Sequence, residues 1–350
     1  MTEDETLALR HLAALVAVPS TNPPRRVDRI VALLRETLPS GFDARVTDLG
    51  DGCVALLAVR GRPSVVFNVH VDTVPVVPGW THEPFQLTVV GDKAYGLGAC
   101  DAKGAAASLL AALASWDGPA ALLFTTDEEA GQARCARWFA SEPRGFSAVI
   151  VGEPTGNRVV SSHRGVATAR VTFEGSAGHS SERRASANHA LVAWAGRALA
   201  FAEDAAGRGR DLRLNLGRIE GGEKPNVVAA RAEVRFGVRP PPGESPREVM
   251  ASLLALAPEG ATQALSFVGE PLVRRPESAD LAARWRVDEG GPVDFWTEAP
   301  IFAEAVPALV YGPGSIAQAH SADEFVDVAS LGKAVADYRR ALATFAELAS

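Results

Sequence analysis

The sequence predicts an α/β fold: a mixed, mostly parallel sheet flanked by helices, with an α+β domain of ferredoxin-like order inserted in it. Three observations carry this. Strand-like runs at Val65–His70, Ala120–Thr126 and Ala148–Val151 alternate with helical segments, the pattern of a largely parallel sheet. From Val166 the order becomes strand, helix, strand, strand, helix, strand, which is ferredoxin-like. The first set of strands ends in His or acidic residues, and ligands of open α/β sheets bind beyond the carboxyl ends of the strands. The expected division is 1–163 with 275–350 as one discontinuous domain and 164–274 as the insert.

In chain order, Thr2–Val18 has apolar residues at helical spacing after an acidic first turn, so it reads as an amphipathic helix. Pro19–Pro24 ends it and Arg25–Leu38 forms a second helix. Val54–Val59 and Val65–His70 read as neighbouring strands joined by the turn Arg60–Pro63. Gly96–Gly104 is a Gly-rich loop, and Lys103–Trp116 is a helix of Ala, Leu and Ser. Strand Ala120–Thr126 runs into Asp127-Glu128-Glu129, a short helix follows, and strand Ala148–Val151 runs into Glu153-Pro154. The insert is expected as strand Val166–Glu174, helix Ser186–Glu203, strands Arg213–Ile219 and Val227–Val238, helix Pro246–Ala257 and strand Thr262–Val268. Pro271–Pro276 leads back, Pro307–Tyr311 is a strand before Gly312-Pro313-Gly314 and His320, and Ala329–Ala346 is a closing helix.

Composition excludes several classes. Hydrophobic residues make up 47 % of 350 residues, enough for a sizeable core and too many for a disordered chain. The net charge is −7 without any run of Lys and Arg, so no nucleic-acid partner is expected. No segment is long and apolar enough for a membrane span, so no membrane partner is expected either. The acidic start M-T-E-D-E-T lacks the basic and apolar regions of a signal peptide. The three cysteines, Cys53, Cys100 and Cys135, lie at no metal-like spacing and read as reduced core thiols of a cytoplasmic protein.

The chemistry gathers at the strand ends. His70 and Asp72 close one strand, an arrangement in which an imidazole binds a metal while the nearby carboxylate orients the ring. Asp101 lies in the Gly-rich loop, Glu128 and Glu129 end a second strand, Glu153 a third, and His320 follows a fourth. Parallel neighbouring strands would crowd these groups at one sheet edge. Crowded carboxylates raise one another's pKa; divalent cations remove that difficulty, and a shared carboxylate could bridge two of them. Imidazole and carboxylate donors suit zinc, and cobalt or manganese less exclusively. The loop G-L-G-A-C-D-A-K-G has the wrong spacing for a phosphate or dinucleotide cradle.

With those residues in view, the chain resembles the metallopeptidase family of acetylornithine deacetylase, succinyl-diaminopimelate desuccinylase, aminoacylase and the bacterial glutamate carboxypeptidases. The motifs are Asn68–Pro75, Gly96–Gly104, Thr126–Ala130, Gly152–Thr155, Gly178–Ser181 and Ala319–Glu324, in family order over nearly the full length. The resemblance implies a zinc-peptidase fold and two Zn²⁺ per subunit, with Co²⁺ as a possible substitute. It implies metal ligation by His70, Asp101, Glu129, Glu153 and His320, with Asp101 bridging, Asp72 orienting His70 and Glu128 as general base. His179 resembles the histidine that reaches the oxyanion, often from the partner subunit of a homodimer. Asn226 and Arg239 resemble residues that hold a substrate carboxylate, an anion suited to an Arg fork, with Gly312 and Gly314 forming a turn near it.

Val293–Ala299, Val310–Val326 and Ser162–Gly165 look like the acetylornithine deacetylase branch, most like its N-acetylcitrulline deacetylase members. That implies a small N-acyl amino acid as partner and its hydrolysis to acetate and the free amino acid, in arginine biosynthesis. A desuccinylase or dipeptidase is the rival within the family, and an inactive metal-binding homologue a remote one. Glu277–Gly291 reads as short for the helix and turn usual there, and His163 as lining the substrate pocket. His11 and His189 read as surface residues, and His82 as a loop residue with no partner legible in the sequence.

Overall fold

The computed structural model describes residues 1–23, 27–142 and 144–346. The first two residues expected in the helix Arg25–Leu38 lie outside them. The chain forms two compact units, residues 1–161, 274–292 and 297–350 in one, and residues 162–273 and 293–296 in the other. The expected 163/164 and 274/275 boundaries thus shift slightly, and Val293–Trp296 joins the second unit. The reason is backbone pairing: His163 N–H bonds Leu272 O, and Arg164 N–H bonds Val293 O.

The first unit opens with α1 (Glu3–Val16) and α2 (Asp28–Thr37). Thr2 and Glu5 form a reciprocal capping box on α1, which satisfies amide groups that a helix start leaves free. There follow β1 (Asp43–Asp48), β2 (Val54–Arg60), β3 (Val65–His70), β4 (Thr88–Val90) and β5 (Lys93–Tyr95). Next come α3 (Lys103–Leu113), β6 (Ala120–Thr125), α4 (Arg134–Ala140) and β7 (Ala148–Val151).

The second unit holds β8 (Val166–Glu174), β9 (Gly178–His179), α5 (Ala187–Gly207), β10 (Arg213–Gly221), β11 (Val227–Val228), β12 (Arg231–Arg239), α6 (Pro246–Leu254) and β13 (Thr262–Gly269). Its antiparallel sheet runs β10-β12-β8-β13, the strand order of a ferredoxin-like fold. The expected single strand Val227–Val238 is instead two: β11 pairs with β9, and β12 enters the main sheet. Along β12 buried and less buried residues alternate, as one covered face requires. That face packs Trp194 of α5 against Phe236 and Phe173, with ring centroids 4.9 and 6.2 Å away. Each such fully buried side chain contributes on the order of 2 kcal/mol.

The chain returns to the first unit with α7 (Pro276–Trp285), α8 (Ala299–Ala303), β14 (Ala308–Val310), β15 (Phe325–Asp327) and α9 (Val328–Ala346). The segment read as short for a helix and turn holds the ten-residue helix α7, anchored by buried Leu281, Ala282 and Trp285. The six-stranded sheet runs β1-β2-β6-β3-β7-β14. β6, β3, β7 and β14 are mutually parallel, while β1 and β2 are antiparallel additions. β2 and β3 are not the neighbours expected: β6 lies between them. Every residue of β3, β6, β7 and α3 is buried, which explains their near-continuous apolar sequence. The parallel register sets His70 beside Thr125 and Asn68 beside Val151. The loops after β3, β6 and β7 therefore leave from one edge, carrying the groups singled out from the sequence. Among the described residues no helix is long and apolar enough to cross a membrane.

Candidate metal centre

His70 is the last residue of β3 and 2 % exposed. Its Nε2 lies 2.9 Å from Asp101 Oδ1 and 3.7 Å from Glu153 Oε1. Its Nδ1 faces the Asp72 carbonyl at 3.1 Å, with the Asp72 carboxylate at 3.5 Å. The backbone of Asp72 is thus the nearer partner of the ring. The Asp72 carboxylate also accepts the Glu129 N–H at 3.1 Å and the Asn22 amide at 3.2 Å, tying the β3 loop to the β6 loop.

The β6 loop takes its shape from Asp127. That carboxylate accepts the N–H groups of Arg134 and Cys135, amides at the start of α4 that would otherwise lack partners. The turn closed in this way presents Glu128 and Glu129. Glu153 follows β7, and its N–H bonds Tyr311 O at the end of β14. His320 Nε2 lies 3.0 Å from Glu129 Oε1 and 3.3 Å from Asp101 Oδ2.

Two donor groups result: His70, Asp101 and Glu153, and Asp101, Glu129 and His320, each with ligand atoms within 4.8 Å of one another. Asp101 belongs to both and turns one oxygen to each imidazole, as a bridging carboxylate does. Each group combines one imidazole with two carboxylates, the hard and borderline donors zinc takes, and three protein ligands leave a position open. Divalent cations therefore fit this site on its own chemistry.

The electrostatics agree. Burial raises Glu128 well above the usual carboxylate range; Glu129, Glu153 and Asp101 push the same way, and His70 opposes them. Burial and neighbouring acids likewise raise Glu153 and Glu129. His70 is raised well above the imidazole range, with Glu153, Asp101 and Asp72 prevailing over burial. His320 is raised to about 11 by its bonds to Asp101 and Glu129. Asp101 is lowered, because the two imidazoles outweigh its burial. The metal-free cluster thus balances its charge with protons, which cations would displace.

The other expected residues fall as follows. Gly312 and Gly314 are buried. A Cβ on Gly312 would lie 2.6 Å from Glu153 O, and one on Gly314, at φ +81°, 2.6 Å from Cys100 Sγ. Both therefore allow close packing against Glu153 and Cys100. His179, Asn226 and Arg239 lie in the second unit and are exposed. There His179 pairs with Val227 and Ser180 N–H bonds Asn226 O, so His179 and Asn226 are brought together; Arg239 ends β12.

His163 sits in the second unit beside Arg164. It is fully buried, with Nδ1 2.8 Å from Arg164 O, and burial pushes its pKa down to about 4, Arg239 adding to the effect. His82 does have partners: Asp323 at 3.2 Å and the Tyr95 ring stacked at 4.5 Å. His11 is half-buried and His189 exposed. Sequence reasoning missed Glu298, buried and bonded to Thr125 Oγ1 at 2.8 Å. Burial and then Asp127 push it up to about 8. It missed Asn22 and Glu324 as well. Only the motif A-H-S-A-D-E pointed near Glu324, without a role for it.

An α/β sheet whose strand ends converge on two imidazole–carboxylate groups sharing one aspartate defines a metal-dependent hydrolase site. The chain matches the model of peptidase family M20/M25/M40 over residues 66–344, and it belongs to that family, as a metal-dependent amidohydrolase. It is 44 % identical to the N-acetyl-L-citrulline deacetylase of Xanthomonas campestris pv. campestris, over 97 % of this chain and 98 % of that one. It is 33 % identical to an acetylornithine deacetylase of Klebsiella pneumoniae, over 77 % of this chain and 76 % of that one. Among solved structures, the fold is similar to the M20 family metallo-carboxypeptidase Sso-CP2 from Sulfolobus solfataricus. The TM-score is 0.77 at 16 % identity, covering 99 % of this chain and 100 % of that one. Human carnosine dipeptidase 1 gives a TM-score of 0.75 at 17 % identity, covering 98 % and 97 %.

Proposed function

We propose that this protein hydrolyses an Nα-acetyl amino acid to acetate and the free amino acid, with N-acetylcitrulline the first substrate and N-acetylornithine the second, in arginine biosynthesis. The observation that carries the reaction type is Asp101, one carboxylate shared by two histidine–carboxylate groups, with Glu128 in the same charge cluster. The order of substrates rests on likeness, 44 % over 97 % of the chain against 33 % over 77 %.

His70, Asp101 and Glu153 would hold one Zn²⁺, and Asp101, Glu129 and His320 the other, with Co²⁺ as a substitute. Such ions supply Lewis-acid polarisation of the amide carbonyl and acidify a water. Glu128 takes the proton of the attacking water at its carboxylate and delivers it to the leaving amine nitrogen. A carboxylate raised by burial suits both halves of that task. Asp72 holds the His70 ring in one orientation. His179 donates to the carbonyl oxygen as charge develops there, from the partner subunit of a homodimer, while Asn226, Arg239 and the Gly312–Gly314 turn serve the substrate's carboxylate.

Two features of the second unit support dimerisation. α5 leaves Val192 and Leu199 66 % and 46 % exposed, and β10 is an edge strand carrying exposed Ile219. The three free, buried thiols support a cytoplasmic location.

The test is amide hydrolysis by zinc- or cobalt-loaded protein, comparing N-acetylcitrulline, N-acetylornithine and N-succinyl-diaminopimelate, with Glu128→Ala as control. Turnover of either acetyl substrate, lost in the variant, supports the proposal and selects the substrate. Turnover of the succinyl compound alone replaces it with a desuccinylase.

A further inference from the structure

Two neighbouring carboxylates follow His320 and reach into different loops. Asp323 accepts the N–H groups of Thr81 and His82 at 2.8 and 3.1 Å and the Thr81 hydroxyl at 2.6 Å. Glu324 reaches into the Gly-rich loop. Its Oε2 accepts Gly98 N–H at 2.9 Å, and its Oε1 accepts the N–H groups of Cys100 and Asp101 at 2.9 and 3.0 Å. Its own carbonyl accepts Gly96 N–H at 3.0 Å.

Glu324 is 1 % exposed. A carboxylate taken out of water is costly unless strong donors surround it. Three amides do so here, and the wholly buried Lys103 amine is near enough to act on it as well. Hydrophobic burial would be served better by an apolar residue, so what the carboxylate adds is geometry. That geometry concerns two members of one donor group. One Glu324 oxygen fixes Asp101 at its backbone N–H. His320, four residues before Glu324, has a side chain 51 % exposed and a backbone φ of +57°. Beyond its contacts to Asp101 and Glu129 little packing holds that imidazole, so its position depends on how the loop behind it is anchored.

We propose that Glu324 is a positioning residue that locks the span between Asp101 and His320, and so governs occupancy of the Asp101–Glu129–His320 side of the centre. The proposal rests on the two-ion reading above. Asp323 anchors the same loop without touching the Asp101 segment, which makes it the natural control.

The experiment measures zinc stoichiometry and stepwise affinity by chelator competition, together with thermal unfolding of the chelator-treated protein, for wild type, Glu324→Gln and Asp323→Asn. Gln keeps the size but turns an amide group toward an amide donor. The expected result is a 10- to 100-fold weaker second ion in Glu324→Gln, with the first ion little changed and Asp323→Asn near wild type at both. Equal affinities in Glu324→Gln and wild type, with only a lower unfolding temperature, overturn the coupling and leave Glu324 a structural residue. The same loss in Asp323→Asn also overturns it, since general loop anchoring would then suffice. Wild type binding a single ion overturns the two-ion reading itself. Should Glu324→Gln not fold, Glu324→Asp keeps the carboxyl group, withdraws its oxygens by one methylene and carries the same expectation.

Discussion

Replacing Glu128 by Gln separates catalysis from metal binding and from folding. Glu128 belongs to neither donor group, so both ions should bind the variant as they bind wild type. The amide has no proton-accepting oxygen of useful basicity, and general acid–base catalysis is worth about 10²- to 10⁴-fold. At about 1.4 kcal/mol per decade, the barrier should rise by about 3–5 kcal/mol. The loss should fall on kcat, with KM little changed. Stability should move the other way. Burial and three neighbouring carboxylates raise the pKa of Glu128 in the folded, metal-free protein. Its contribution is therefore fully present below the ordinary carboxylate pKa and is lost as pH rises through the folded value. Gln removes that loss, so chelator-treated Glu128→Gln should be more stable than wild type at neutral pH and gain little at pH 4. The assays are steady-state kinetics with zinc-loaded protein, metal analysis after dialysis, and urea unfolding of the chelator-treated forms. Retained turnover would refute the general-base role. Lost metal would refute its separation from the ligands, and an unchanged or lower stability at neutral pH would refute the charge argument.

Other expectations follow from the same geometry. Zinc binding should release about one proton from each imidazole at pH 7, because His70 and His320 are both raised in the metal-free protein; calorimetry in buffers of different ionisation enthalpy measures this, and binding without proton release would contradict it. His163 is fully buried and held near pKa 4 against 6.5 in the unfolded chain, so its own contribution to the stability of chelator-treated protein should fall by about 3 kcal/mol between pH 6.5 and 4. His163→Gln should show a smaller loss over that window, and an identical pH slope in urea unfolding would rule the account out. Gly312→Ala drives a Cβ to 2.6 Å from Glu153 O and should cost about 1–3 kcal/mol, with weaker zinc binding on the His70 side; unfolding temperature and chelator competition read both. Val192→Glu with Leu199→Glu on α5 should shift a dimer to monomer in sedimentation, and an unchanged dimer would move the interface elsewhere.

The His and acidic groups that meet at one sheet edge could be read from the chain because they sit where strands stop. A wholly buried parallel strand must be apolar along its length, so β3, β6 and β7 stand out. The polar residue that ends each one, His70, Glu128–Glu129 or Glu153, is displayed by contrast. The ferredoxin-like insert was legible for a similar reason: β8 and β12 each cover one face and so alternate. β1 was not, because D-A-R-V-T-D at an exposed edge needs no apolar pattern. The strands β4, β5 and β15, three residues each, are too short to show a period.

What the sequence determined by itself was the kind of chemistry, since donor types and their places at strand ends are local properties. What only the tertiary structure decided was which of these side chains lie close together and what holds them. β6 enters between β2 and β3 from some fifty residues further along the chain, which no local pattern announces. His70 meets Glu153 because β7 lies on the other side of β3. Glu324 reaches the Asp101 amide across 223 residues of chain, and Asn22 reaches Asp72 across 50. A hydrogen bond between distant segments leaves no periodicity in either one. It exists only once hydrophobic burial has brought the segments together.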